Sequence, residues 1–364
     1  GMTAQVQGWQ NLQDAAPPYD KMPQIALRYN HAQAQGLDFS LLADTTRFEA
    51  DFSRVPSLVS TNTVAQNGQR SFMQAQIGQA WVRPWGFFKP KLQVNAARYQ
   101  MDHVLSDGAL SVNRVLPTLS MDAGLVYERE TEWFGRGVLQ TLEPRAFYAY
   151  TPYRNQDMLP VYDSGATDFN LSTIFSENTY VGQDRLVDNN ALTLGLSSRF
   201  FDADSGGELL RLGLAQRIRF SDQRVVLPGQ VASTTGLSDI LFGGAVRWDD
   251  RLSLDATIQA NNQTHEFSRT TLQARYSHSP YRVINAAYRS NKQTSPNSEF
   301  IDLGWQWPLS DMLGSTDRSA ETPWTRSPGQ GLGPDRWYTV GRLNYSLKER
   351  SLVDTLVGLE YDAG

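Results

Sequence analysis

Strict alternation of apolar and polar residues is the feature that most constrains the fold of this chain. In residues 252–261 one set of positions reads Leu, Leu, Ala, Ile, Ala, and the positions between them read Ser, Asp, Thr, Gln, Asn. Because successive side chains of a β-strand point to opposite faces, this period predicts a strand with one apolar and one polar face. Three further segments repeat the pattern clearly, at residues 210–220, 301–307 and 354–361.

Weaker alternation extends the pattern along most of the chain. It occurs at residues 3–9, 23–31, 37–49, 71–82, 89–101, 117–129, 137–150, 190–200, 238–248, 267–277, 281–290 and 336–346. Together these segments predict about sixteen strands of about ten residues, the length at which a tilted strand crosses a bilayer. No segment approaches the roughly 18 uninterrupted apolar residues of a membrane helix, so any membrane crossing is expected to use strands.

The segments between the predicted strands fall into a short set and a long set. The short set includes residues 32–36, 83–86 and 249–250, and the long set includes residues 50–70 and 102–116. Short turns on one side and long loops on the other are typical of outer-membrane barrels. The sequence therefore predicts an all-β fold, an antiparallel transmembrane β-barrel, as a single segment over residues 1–364. We expect a long extracellular loop near 151–189 and a flexible Gly/Pro-rich insertion near 311–335.

The composition argues against several classes of function. With 33 basic and 38 acidic residues and no basic run, the chain lacks the charge that binding to nucleic acid requires. The four histidines are scattered, and no hydrolase, metalloprotease, P-loop or dinucleotide-binding motif is present. The absence of cysteine removes disulfides and thiolate metal sites. We therefore expect a protein that is not an enzyme and that carries no cofactor or metal.

Residues 139–154 read LQTLEPRAFYAYTPYR, and this run resembles a segment of the lipopolysaccharide-assembly (organic-solvent-tolerance) protein family. The likeness extends from near residue 6 to the end of the chain, with further family-like runs at 112–117 (VNRVLP) and 307–311 (WPLSD). Such an ordered set is more specific than any single motif. The residues that carry the signature are Gln140, Leu142, Glu143, Pro144, Arg145, Tyr153, Asp184 and Arg185.

The resemblance implies the middle portion of a barrel in the outer membrane of a Gram-negative bacterium. It also implies that the intact barrel receives lipopolysaccharide from periplasmic bridge proteins, is plugged by a lipoprotein, and releases its cargo into the outer leaflet. The family's periplasmic domain, lateral gate and paired cysteines are expected outside this chain, whose first residues also lack an export signal. A general porin fits the same alternation, and an outer-membrane lipid A-modifying enzyme is a third interpretation.

Polar-face positions supply the candidate contacts with a substrate. Those predicted to line the lumen are Glu143, Arg145, Arg211, Arg217, Arg219, Asp255 and Gln259. Arginine binds phosphate bidentately, so the arginines of 210–220 could meet lipopolysaccharide phosphates, or they could belong to an interior salt-bridge lattice. Glu143 and Arg145 share a face and are expected to form a structural ion pair, with contact to the substrate or plug as the alternative. Pro144 removes a ladder hydrogen bond and predicts a bulge or kink.

Overall fold

The computed structural model describes residues 1–10, 18–32, 36–50, 66–105, 108–279, 281–293, 297–312 and 337–361. The flexible insertion predicted near 311–335 lies outside the described residues, except for its first two positions. No helix of the described residues is long and apolar enough to cross a bilayer.

The described residues form 21 strands and one short helix. The first eleven strands are β1 (Met2–Gln7), β2 (Asp20–His31), β3 (Leu37–Glu49), β4 (Gly68–Gln79), β5 (Trp81–Arg83), β6 (Gly86–Met101), β7 (Ser111–Leu125), β8 (Tyr127–Trp133), β9 (Arg136–Thr151), β10 (Gly165–Ala166) and β11 (Tyr180–Val181). The remainder are β12 (Asn189–Asp202), β13 (Glu208–Arg219), β14 (Gly236–Leu237), β15 (Ile240–Arg247), β16 (Leu252–Ala260), β17 (Phe267–Ser279), β18 (Arg282–Asn291), β19 (Ser298–Pro308), β20 (Trp337–Ser346) and β21 (Ser351–Tyr361), with helix α1 (Leu309–Met312) after β19.

Strands that follow one another in sequence pair antiparallel, as the alternation and short turns predict. Nineteen strands belong to one sheet, and β10 and β11 form a separate small hairpin. Because β5 prolongs β4, β8 prolongs β7 and β14 precedes β15 along the same ladder, the sheet consists of about sixteen long strands. The all-β antiparallel fold and the approximate strand number are therefore confirmed.

The described structure divides into two compact units. The first comprises Gly1–Val126, Pro144–Gly195 and Gln216–Ser238, and the second comprises Tyr127–Glu143, Leu196–Ala215 and Asp239–Gly364. Three strands, β9, β12 and β13, contribute residues to both.

The first unit has an aromatic core on one face of its strands. Phe48 of β3, Phe72 of β4 and Tyr99 of β6 pack with Leu159 and Tyr162 from the segment between β9 and β12. The rings of Phe48 and Tyr162 stack with their centroids 4.4 Å apart. Burial of these rings supplies the apolar contact that holds a long connecting segment against the sheet.

The second unit shows the predicted two-faced sheet. Across β17 to β20 one row of paired residues consists of Leu272, Tyr288, Ile301 and Tyr345, and the neighbouring row on the opposite face consists of Gln273, Ala287, Asp302 and Asn344. Leu272 and Ile301 are 43% and 42% exposed, whereas Asp302 is 8% exposed. The apolar face is thus uncovered by protein, and the polar face carries a buried carboxylate.

Candidate functional site: a covered polar face and its recess

The segment between β9 and β12, residues 152–188, is an ordered loop that lies against the polar face of the first unit. Side chains satisfy much of its backbone: the Asn178 amide donates to the carbonyls of Tyr180 and Arg185 and accepts from the Val187 amide. The Ser164 hydroxyl accepts from two successive backbone amides, at 2.9 and 3.0 Å. A connection this long is uncommon in a compact fold, and its internal order indicates a functional element rather than a mere link.

Arg70 on β4 is the charge centre to which this loop is tied. Its Nη1 and Nη2 donate to the two carboxylate oxygens of Asp163 at 2.7 and 2.8 Å, and Nη1 also donates to Asp184 at 2.7 Å. The side chains of Arg70 and Asp184 have no exposed area. Because removal of one partner from such a pair leaves an uncompensated buried charge, the contact fixes the loop position strongly.

Asp184 gathers further donors around the same centre. Its Oδ1 accepts from the Tyr99 hydroxyl at 3.2 Å, and its Oδ2 accepts from the backbone amides of Tyr162 and Asp163, each at 2.7 Å. Burial raises the pKa of the Asp184 carboxyl, and the positive charge of Arg70 opposes that shift. The signature residue Asp184 therefore organises the loop core.

Two other arginines bind the loop through its carbonyl groups. Arg114 of β7 donates to the side chain of Gln156 at 3.0 Å and to the backbone carbonyls of Gln183 and Asp184. The signature residue Arg185 donates to the carbonyl of Leu159 at 2.8 Å. These contacts join the beginning of the loop to its end, so the loop is closed on itself as well as attached to the sheet.

A second segment, between β13 and β14, packs on the first loop. The Asp188 carboxylate accepts from the backbone amides of Arg224 and Val225, and the Tyr180 hydroxyl donates to the Val225 carbonyl at 3.1 Å. The guanidinium of Arg224 lies 3.7 Å from the ring centroid of Tyr153. The signature residue Tyr153 thus contributes a cation-π contact between two loops of the first unit.

A recess of about 500 Å³, here called the loop recess, lies beside the loop in the first unit. Its lining includes the aromatic side chains Phe147 and Phe175 and the polar side chains Asp38, Gln76 and Lys91. Aromatic surface combined with amide and charged groups suits a polar ligand with hydrophobic faces, such as a sugar. Within the described residues, no group of His, Asp and Glu side chains is placed to hold a metal ion.

One edge of the loop recess is closed by an ion pair between sheet and loop. The ammonium of Lys91 on β6 lies 2.5 Å from the Glu177 carboxylate, which also accepts from the Ser120 hydroxyl at 2.8 Å. Burial alone would raise the pKa of the Glu177 carboxyl, but the charge of Lys91 and its hydrogen bond lower it. Glu177 is thus the loop residue that attaches the wall of the recess to β6 and β7.

Glu143 and Arg145 find their partners on neighbouring strands. Arg145 donates to both oxygens of Asp122 on β7 at 2.8 Å, and its guanidinium lies 4.2 Å from the ring centroid of Phe175. The Glu143 carboxylate lies 3.5 Å from the Arg199 guanidinium of β12. The ionic brace at this point therefore runs between strands, and not along β9 as the spacing of two residues predicted.

Pro144 lies opposite the junction of strands β7 and β8, where their pairing with β9 is interrupted. Leu142 pairs with Tyr127 of β8 and Arg145 pairs with Gly124 of β7, so the register is the same on both sides of the proline. Because Pro144 has no N–H to donate, the local feature is an interruption of pairing without the register shift that a bulge would produce.

The other signature residues on β9 are simple strand residues. The Gln140 side chain accepts from Arg129 at 2.7 Å and donates to Ser198 at 3.0 Å. Leu142 is 42% exposed on the apolar face. The Gln140 contacts join β9 to β8 and β12, and Leu142 contributes to the apolar surface.

The arginines of β13 are already engaged. Arg217 is buried, and it donates to the Thr193 hydroxyl at 3.2 Å and to the carbonyl of Ile174 in the loop. Arg211 lies 3.3 Å from Glu208, and Arg219 is half-buried with a partner of its own. The geometry at Arg217 therefore favours the structural interpretation over phosphate contact.

The two candidates on β16 differ in their surroundings. Gln259 is buried and donates to the Asp239 carboxylate at 2.7 Å, whereas Asp255 is exposed on the polar face. The residues that organise the site most strongly, Arg70, Arg114 and Asp163, were not singled out by the sequence analysis. Arg114 falls within the family-like run 112–117, and that is the signal by which it could have been found.

The contact between Arg70 and Asp163 predicts that the stability of the fold depends on pH. Burial alone would raise the pKa of the Asp163 carboxyl, but the hydrogen bonds and charge of Arg70 lower it to about 2 from the ordinary 3.8. A lowered pKa stabilises the fold above the ordinary pKa, and this stabilisation is lost as the pH falls from about 4 toward 2. In the full-length protein, we expect Asp163→Asn to cost about 2 kcal/mol of unfolding free energy near neutral pH and nearly nothing at pH 2.

Chemical denaturation of wild type and Asp163→Asn across this pH range measures the effect. Asp157→Asn, at an exposed carboxyl of the same loop, is the matched control and should show a small difference at every pH. A constant difference between wild type and Asp163→Asn down to pH 2 would contradict the assignment.

A protein-family model described as LptD: LPS transport system D matches residues 1–313. A curated relative from Paracidovorax citrulli, LPS-assembly protein LptD, is 49% identical over 361 residues, covering 98% of this chain and 42% of that protein. The protein of the same name from Ralstonia nicotianae is 37% identical over 370 residues, covering 99% of this chain and 42% of that protein. The chain thus spans well under half the length of these relatives. Among solved structures, a ferric enterobactin receptor mutant from Pseudomonas aeruginosa matches with a TM-score of 0.39 and 9% identity, covering 100% of this chain and 66% of that chain.

Proposed function

This chain belongs to the LptD family of LPS transport system D proteins, and from that premise we propose that it forms part of an outer-membrane β-barrel that delivers lipopolysaccharide to the outer leaflet. The observation that carries the proposal is the match to curated LPS-assembly proteins over nearly the whole chain. The described geometry supports it through three features: an exposed apolar face, a covered polar face, and a recess with a sugar-compatible lining.

The apolar face is the membrane-facing surface in this proposal. Leu254, Leu272 and Ile301 are each about two-fifths exposed on strands whose alternate positions are polar. A contiguous apolar surface of this kind is unfavourable in water and favourable in contact with acyl chains. The polar face then lines the lumen, where the saccharide and phosphate groups of the cargo would pass.

The part played by the chain is passive. Polar side chains accept the hydrophilic portion of the lipid while its acyl chains stay near the apolar surface, and no covalent step is required of any residue. The plug lipoprotein and the periplasmic bridge proteins that the family resemblance implies are the proposed partners. The long loop 152–188 faces the cell exterior in this arrangement and narrows the lumen from that side.

Photo-crosslinking in cells tests the proposal in the full-length protein. A crosslinking amino acid at Gln76 in the loop recess should form adducts with lipopolysaccharide several-fold more often than one at Ile77, the adjacent residue on the apolar face. The two positions are adjacent on strand β4 and point to opposite faces, so the pair compares the two faces at one place in the sheet. Equal labelling at both positions, or labelling of Ile77 alone, would contradict transport along the polar face and favour a general porin.

A further inference from the structure

Three arginines lie on the polar face of the second unit, and two of them contact one buried carboxylate. Asp302 on β19 lies 3.2 Å from the Arg289 guanidinium of β18 and 3.4 Å from that of Arg342 on β20. The Asn344 amide donates to the same carboxylate at 2.7 Å. Asp302 is thus held between two strands and orients a guanidinium on each side.

The third arginine is placed by strand register. Arg275 of β17 pairs with Asn285, which pairs with Gly304, which pairs with Arg342. Arg275 and Arg342 therefore lie at the two ends of one row, three strand spacings or roughly 14 Å apart along the sheet. Only a short amide side chain and a glycine stand between them, so the row has a shallow floor with a guanidinium at each end.

The exposure of these arginines distinguishes them from Arg70 and Arg217. The side chains of Arg289 and Arg342 are 55% and 56% exposed, whereas that of Asp302 is 11% exposed. A guanidinium has five N–H donors, and one carboxylate shared by two guanidinium groups leaves donors on each of them accessible to solvent.

The exposed guanidinium groups, rather than the net charge, are what suit an anion. Arg275, Arg289 and Arg342 share the polar face with three carboxylates: Asp302, the exposed Asp354, which pairs with Asn344, and the exposed Asp255, which pairs with Gln273 beside Arg275. Asp302 already contacts Arg289 and Arg342, and the remaining forked donors of the guanidinium groups fit the oxygens of a phosphate group.

We propose that Arg275, Arg289 and Arg342 form a phosphate-binding subsite for the phosphorylated headgroup of the transported glycolipid. Asp302 is a positioning residue that holds two of the guanidinium groups apart, and Gly304, opposite Asn285, leaves the space that the headgroup occupies. This assignment rests on the proposed transport function and adds where, along the polar face, the phosphate is bound. A phosphate group could also come from a bulk phospholipid or from free phosphate, and the experiment distinguishes these sources.

The test uses the full-length protein with a photo-crosslinking amino acid at Asn285, and Ala286 on the apolar face as the positional control. Lipopolysaccharide adducts at Asn285 should fall about tenfold in an Arg275→Ala/Arg342→Ala double variant, because two charge-assisted contacts are lost. Arg251→Ala, which removes an exposed arginine in the turn between β15 and β16, should leave the adducts unchanged. In detergent, phosphatase-treated lipopolysaccharide should form as few adducts at Asn285 of the otherwise unchanged protein as untreated lipopolysaccharide forms in the double variant.

Adducts at Gln76, measured in the same variants, separate the possible failures. Retained labelling at Gln76 with lost labelling at Asn285 supports the subsite and shows that the double variant folds and transports. If labelling at Asn285 were unchanged by the double substitution and by phosphatase treatment, the subsite would be overturned. The transport proposal would not be affected by that result. Equal labelling by phosphatidylglycerol micelles, or full competition by millimolar inorganic phosphate, would also overturn it, because the site would then be unselective for the glycolipid. Absence of lipopolysaccharide adducts at Gln76 in the protein without arginine substitutions would instead reject the transport proposal itself.

Discussion

Replacing Arg70 with alanine is expected to lower the free energy of unfolding of the full-length protein by about 3 to 5 kcal/mol. The substitution leaves Asp163 and Asp184 without their shared guanidinium. Because the Asp184 side chain has no exposed area, water cannot solvate its carboxylate in place of the guanidinium. Asp44, 3.9 Å from the same guanidinium, loses its nearest positive charge as well. Guanidinium denaturation in detergent gives the stability, and limited proteolysis should show cleavage within 152–188.

Arg98→Ala is the matched control for this prediction. Arg98 lies on the adjacent strand β6, and its side chain is exposed, so the same change of charge should cost less than about 0.5 kcal/mol. If the two variants had similar stability and similar resistance to proteolysis, Arg70 would not be the anchor of the loop.

The strand pattern of this protein could be predicted from sequence because it depends on local periodicity. The segment 252–261, for example, carries its two faces in its own alternation, and the structure places β16 at Leu252–Ala260. The Arg70 centre could not be predicted in that way, since its partners Asp163 and Asp184 lie 93 and 114 residues away in the chain. No periodic signal links residues across such separations.

Register explains the errors of detail in the candidate site. Glu143 and Arg145 share a face of β9, but which side chain each contacts depends on the residues that the neighbouring strands bring opposite them. The structure brings Asp122 and Arg199 to those places, and neither was visible from the spacing within β9. Likewise, Arg217 and Arg289 look equivalent as polar-face arginines, and only the three-dimensional contacts separate the buried one from the exposed one.

Replacing Gly182 with alanine should cost about 3 kcal/mol, because it combines backbone strain with a steric clash at the loop centre. Gly182 has φ of 74°, in the left-handed region that favours glycine, and a Cβ there would overlap the backbone carbonyl of Asp163. Relief of the overlap requires Asp163 to move, and its contact with Arg70 would be lost with it. The loop should become protease-sensitive, as in the Arg70 variant, and the pH dependence attributed to Asp163 should diminish.

Gly206→Ala separates the two contributions to that loss. Gly206 has φ of 69°, and an added Cβ there meets no atom within 4 Å, so this variant carries the strain alone and should cost about 1 kcal/mol. Because the clash at Gly182 acts through the Asp163–Arg70 contact, the Gly182→Ala/Arg70→Ala double variant should be only slightly less stable than Arg70→Ala. Fully additive losses in the double variant, or equal losses in the two glycine variants, would show that Gly182 does not hold Asp163 in place.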